Sequence, residues 1–223
     1  MEWKMSMQAH LGLIAVAGLL VAIVLGSFLI KDHVHDEPQK IFVLPNKSLL
    51  LLGLICFCVA MSEGAMADWS SLYYRMSLHD MKRPSTAGYT AFAFAMASGR
   101  FLGDRLVQAL GYKKVLSLNG LFILLGMLLA LIVSTPIAVI VGFALVGLGV
   151  SSVFPLVYTL AAKNKSMAPS SALAAVSSVG FTGFLFGPPM IGFVAHETGL
   201  RLALIIVAFL GSMIWLLSFR IKD

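Results

Sequence analysis

The sequence predicts an all-α polytopic membrane bundle of about seven transmembrane helices. Three observations predict it. Hydrophobic residues make up 59% of the 223 residues and charged residues only 12%, about half the share a soluble domain carries. Residues 11–30 and 115–162 hold no Asp, Glu, Lys or Arg, and a bilayer core needs about 20 apolar residues per helix. These runs do not alternate apolar and polar residues, as membrane β-strands would.

Seven spans follow, at about 9–30, 48–74, 86–108, 113–133, 136–162, 168–195 and 199–220. Ser134-Thr135-Pro136 divides the long uncharged run into two spans, because proline stops a helix but suits its first turn. The first run is longer than the apolar region of a signal peptide and has no small-residue cleavage site after it, so it reads as a retained helix. The polar stretch 31–47, with Pro38 and Pro45, is the longest hydrophilic connection. The expected organisation is one transmembrane helix over 1–30, a cytoplasmic central loop over 31–47 and a six-helix half over 48–223.

Basic residues orient the bundle. Lys31, Lys40, Lys47, Arg105, Lys113, Lys114, Lys163, Lys165, Arg220 and Lys222 fall in one set of connections. Lys4, Arg75, Lys82, Arg83 and Arg201 fall in the other. Ten against five places the first set, and the C-terminus, in the cytoplasm. The formal net charge of +6 is therefore a topology signal, and no nucleic-acid partner is expected. Cys56 and Cys58 lie in an apolar run and read as buried thiols. His33 and His35 read as parts of a charged linker. No metal site and no cofactor are expected.

The stretch 99–114, GRFLGDRLVQALGYKK, carries most of the family information. An uncharged span runs into Arg100, Asp104 and Arg105, then Gly111, then Lys113 and Lys114. This resembles the loop signature of the major facilitator superfamily, in which an acid and an arginine at a helix exit precede a glycine and paired basic residues. Residues 142–155, GFALVGLGVSSVFP, resemble the glycine-rich helix with a late proline that stands fourth in each half of that family. Residues 180–192, GFTGFLFGPPMIG, resemble the fifth. The resemblance implies half of a major facilitator fold: span one is similar to helix six, and the rest to helices seven to twelve. ADWSSLYY at 67–74 is similar to members related to the fucose-permease type. The implied function is solute transport by alternating access in a bacterial inner membrane, as symport, antiport or uniport. The implied partners are the lipid bilayer, a small-molecule solute and a separate or missing N-terminal half. A fragment of a longer protein is the expectation for a chain of this length.

Candidate working residues follow from depth. Glu63 comes after fifteen uncharged residues, about 20 Å into a core roughly 30 Å thick, and intramembrane acids mark ion or substrate pathways. The alternative is a carboxylate solvated near the outer mouth. Asp68 lies further out, closer to the interface. Asn119 and Tyr158, with Ser151, Ser152, Ser177, Ser178, Thr182, Tyr89, Phe92 and Phe94, are the residue types that line solute cavities, although each also serves in packing. Arg100 and Asp104 are four apart and share a helix face. In the resemblance, Arg100, Asp104, Arg105, Lys113 and Lys114 form a cytoplasmic latch at the membrane surface, with Asp104 pairing with Arg100 or with a helix N-terminus. Gly183 and Gly187 form a small-xxx-small step, and Pro188 and Pro189 remove two backbone donors. These four are candidates for helix bending, with close packing as the alternative reading.

An ATP-binding G-x-x-x-x-G-K-[ST] motif is absent, so coupling would come from an ion gradient. Two other functional classes compete with transport. An intramembrane serine hydrolase around Ser151 and Ser152 needs a general base at their depth. His10, His33, His35, His79 and His196 all lie in connections or near span ends, so no enzyme is expected. A seven-helix receptor or scaffold would bind a ligand and move nothing, and an inactive fragment would do neither.

Overall fold

The structure is a computed structural model that describes residues 6–26, 47–78, 86–133 and 135–221. The described residues are overwhelmingly helical and include no strand. The proposed central loop at 31–47, and with it His33, His35, Pro38 and Pro45, lies almost wholly outside them. The chain divides into two compact units, 1–39 and 40–223. The first contains α1 (Met7–Gly26), which is apolar on every face, as a helix among lipid chains is.

The second unit contains α2 (Lys47–Leu78), α3 (Ala87–Leu110), α4 (Tyr112–Val133), α5 (Pro136–Ser151), α6 (Val153–Ala162), α7 (Pro169–Thr198), α8 (Leu200–Ala203) and α9 (Ile205–Ser218). α5 with α6, and α8 with α9, are each one rod with a break. Six rods in this unit and α1 together match the seven spans read from the sequence. Among the described residues, five rods are both long and apolar enough to cross a membrane. α3 is long enough, at 24 residues or about 36 Å, but carries Arg100, Asp104 and Arg105.

Local chemistry sets the ends. Gly111 alone joins α3 to α4. Its φ of 82° lies in the left-handed region, and its N–H donates to the Val107 carbonyl at 2.8 Å, a conformation that favours glycine. The Thr135 hydroxyl accepts from the Ala138 N–H at 3.3 Å, and Pro136 follows at the first helical position, so the break at 134–136 is an N-cap with its proline. α5 ends and α6 begins at Ser152. Pro155 explains the break: it has no N–H for the Ser151 carbonyl four residues earlier.

The core runs through the middle of the second unit. Ile55, Met61 and Tyr73 of α2, Phe92 of α3, Ile123 and Met127 of α4, Phe143 of α5 and Ile214 of α9 are all buried. Helices approach closely where glycine removes the side chain. A methyl group at Gly211 of α9 would sit 2.6 Å from the Leu124 nitrogen of α4. One at Gly126 of α4 would sit 2.8 Å from the Leu145 Cβ of α5. Contact at backbone distance is how membrane helices gain packing energy without a hydrophobic drive between them. The Tyr73 hydroxyl ties α2 to α4 by donating to the Ala130 carbonyl at 3.2 Å.

Candidate functional site

Glu63 stands on α2, sixteen residues from its start at Lys47, or about 24 Å along the axis. It is half-buried and lines a pocket of about 490 Å³ together with Arg100 of α3, Phe154, Pro155 and Tyr158 of α6, and Phe181 and Phe184 of α7. Solute and drug pockets span about 300–1,000 Å³ and are mostly apolar with a few placed polar groups. This one has that composition, with one acid, one base and four aromatic rings.

Each wall has a local cause. Phe154 and Tyr158 are four apart on α6 and their rings lie 5.9 Å apart. Phe181 and Phe184 are three apart on α7, with centroids at 6.3 Å. The two pairs meet where Phe154 stacks on Phe184 at 6.3 Å, nearly parallel at 4°. The break at Ser152 lies two residues before Phe154, where this aromatic wall begins. The Tyr158 hydroxyl accepts from Ser177 at 3.2 Å, which holds α6 to α7.

Arg100 is the main correction to the sequence reading. The charge cluster read as one surface group, yet α3 runs ten residues past Arg100, about 15 Å. Arg100 therefore stands well inside the helix, where its side chain lines the Glu63 pocket and donates to the Met96 sulfur at 3.8 Å. Among the described residues no ion pair within 4.0 Å joins it to Asp104, so that pairing is absent from this structure. Asp104 and Arg105 are exposed further along α3, and Lys114 is exposed at the start of α4. Lys113 lies over the Phe219 ring at 5.9 Å.

The structure separates the other candidates. Tyr158 joins Glu63 in the pocket. Asp68 is exposed and five residues from Glu63, about 140° around the helix, and does not line it. Asn119 is 5% exposed and faces the core, where its amide donates to the Ser152 hydroxyl at 2.8 Å. It thereby anchors α4 to the break between α5 and α6. Ser151 donates to the Leu148 carbonyl at 2.6 Å. Phe92 is buried in the core and Phe94 is exposed. Asn119→Ala should lower the melting temperature, by about 0.6–1.7 kcal/mol of lost stability, and leave ligand affinity within about twofold. A thermal-shift series with and without ligand measures both.

Gly183 and Gly187 face α2. A methyl group at Gly187 would sit 2.9 Å from the Met61 Cγ, and one at Gly183 3.0 Å from the Met61 nitrogen. α7 continues as helix across Pro188 and Pro189, and the Pro188 ring lies beside Gly64 of α2. Gly183 and Gly187 of α7 thus meet α2 at close range, while Val179, Phe184 and Pro188 pack beside Gly53 and Gly64 of α2.

Sequence reasoning missed Arg100, Phe154, Phe181 and Phe184 as pocket residues. The aromatic pairs at three- and four-residue spacing were a usable signal, because such pairs share a helix face. Their convergence across α6 and α7 was not visible in one dimension.

A sequence profile of the Major Facilitator Superfamily matches residues 4–169 and 83–223. The chain is 39% identical, over 79% of its length and 45% of the relative's, to an uncharacterized MFS-type transporter of Yersinia pestis. It is 32% identical, over 82% of its length and 46% of the relative's, to the membrane protein MosC of Rhizobium meliloti. It is 30% identical, over 93% of its length and 56% of the relative's, to an uncharacterized transporter of Sinorhizobium fredii. The chain spans about half the length of the curated relatives it matches. With the profile match, these relatives and the apolar helical rods agreeing, this chain is an integral membrane protein and belongs to the Major Facilitator Superfamily.

Proposed function

We propose that the chain forms the solute-binding half of a secondary transporter that works by alternating access in a bacterial inner membrane, its C-terminus in the cytoplasm. The observation that carries this reading is the pocket at Glu63 and Arg100. It places two opposite charges and four aromatic rings well inside the helices, where charges are costly and mark pathways. Glu63 carries the coupling proton, Arg100 and Tyr158 contact the solute, and the aromatic rings hold its apolar body. The solute is small and polar or amphipathic. The fucose-permease likeness of residues 67–74 and the ring-lined pocket favour a sugar, since sugar faces stack on aromatic rings. The relatives named as transporters support the transport role. Their greater length supports a working unit in which this six-helix half faces another, with the solute between halves that rock around it.

Asp104, Arg105, Lys113 and Lys114 form the cytoplasmic latch in this reading, and Arg100 belongs to the pocket instead. Asp104→Asn should raise labelling of cysteines placed in the cytoplasmic cavity by about threefold with normal membrane insertion. Unchanged labelling removes the latch.

The direct test is uptake of radiolabelled sugars by proteoliposomes that hold the chain with its partner half, with and without a pH gradient. Uptake driven by the gradient is expected. Saturable binding with no turnover would replace transport with the receptor or scaffold role.

A further inference from the structure

A second cavity, of about 450 Å³, lies apart from the aromatic pocket at one end of the second unit. Lys47 and Ser48 from the start of α2, Leu160 from the end of α6, and Arg220 and Ile221 after α9 line it, with Leu51 and Leu52 as its floor. Contacts at the same end show where it sits. The Lys163 ammonium donates to the Tyr112 hydroxyl at 3.0 Å, and Lys113 lies over Phe219. The start of α2, the start of α4, the end of α6 and the end of α9 thus gather together. This is the basic end of the bundle.

The lining is chemically one-sided. Two cations flank the cavity, and among the described residues no acid lines it. Among the described residues, the Lys47 ammonium and the Arg220 guanidinium have no ion-pair or side-chain hydrogen-bond partner. Below the cations the wall is leucine. Leu50 and Leu54 on α2 and Leu216 on α9, one or two turns deeper on the same helices, are exposed, as side chains against acyl chains are. A cation pair at the headgroup level above an apolar wall matches a molecule with a phosphate at one end and hydrocarbon at the other. Basic pockets between transmembrane helices bind anionic headgroups in this way.

We infer that this cavity binds the phosphate headgroup of an anionic phospholipid, with Lys47 and Arg220 contacting the phosphate and the leucines contacting the upper acyl chain. A free phosphate shares the charge but not the chain. The site staples the first and last helices of the six-helix unit to one lipid.

The test is native mass spectrometry of the detergent-solubilised protein with added phosphatidylglycerol, with phosphatidylethanolamine as the zwitterionic comparison. The wild type should retain phosphatidylglycerol preferentially. The double variant Lys47→Gln with Arg220→Gln should bind it about thirtyfold more weakly, two basic contacts being lost. A matched double variant at the same end, Lys114→Gln with Lys165→Gln, should bind within about threefold of wild type. Leu51→Trp keeps both charges and fills the floor. It should weaken binding by a similar factor and serves if the charge variant does not fold. Equal loss in the Lys114 and Lys165 variant overturns the site in favour of diffuse charge. Displacement of the lipid by millimolar inorganic phosphate overturns the lipid assignment. Retention unchanged in both cavity variants overturns the proposal altogether.

Discussion

Glu63→Gln should abolish the pH dependence of solute uptake, and Arg100→Gln should cut uptake about thirtyfold at every pH. Both residues line one pocket with Phe154, Tyr158, Phe181 and Phe184. Glutamine preserves the size and hydrogen bonding of Glu63 but does not titrate, so a proton carried there has no site. Arg100 offers five N–H donors in a fixed fork. Truncating one partner of a buried charge pair costs about 2–5 kcal/mol, and the lower end is the ceiling here because Arg100 is exposed. The measurement is initial uptake at two pH values, normalised to protein in the membrane. A Glu63→Gln protein with the wild-type pH profile removes Glu63 from coupling. An Arg100→Gln protein with normal affinity and rate removes Arg100 from the pocket and returns it to the latch.

Gly183→Leu should prevent the second unit from folding, and Gly183→Ala should lower its melting temperature by several degrees. A methyl group at Gly183 would meet the Phe57 carbonyl oxygen and lie 3.0 Å from the Met61 nitrogen and 3.1 Å from the Ala60 Cβ. Two of these neighbours are backbone atoms of α2, which do not turn aside as a side chain does. Overpacking costs about 1–3 kcal/mol where side chains give way and more where they do not. Gly64→Ala is the comparison, since its nearest neighbour is the Phe184 ring at 3.3 Å, and it should lose far less. Fluorescence-detected size exclusion after heating reads the difference. A Gly183→Ala protein of full stability but slowed transport would make Gly183 a flexing point and not a packing one.

Much of this architecture was legible in one dimension. Uncharged runs of about 20 residues define rods whatever their neighbours are, because the bilayer demands internal hydrogen bonding along each segment. Thr135-Pro136 and Gly111 mark rod ends through their own backbone chemistry. The close helix approaches were legible as glycine spacing, because removing a side chain permits contact on whichever helix faces it.

The site was legible only in part. Glu63 stood out because depth is counted along the chain. Arg100 reads as a surface residue beside Asp104 because adjacency in sequence suggests a shared environment. One long helix carries the two at different depths and to different neighbours. Asn119 looked like a cavity residue by type, but which face of α4 meets Ser152 depends on how that helix is rotated against its partners. The sequence by itself determined the helical class and the number of rods, while the breaks within two of them, at Ser152 and Leu204, emerged only in the structure. The tertiary structure alone decided which polar groups meet, because rotation and crossing of helices are set by side-chain packing across the whole bundle.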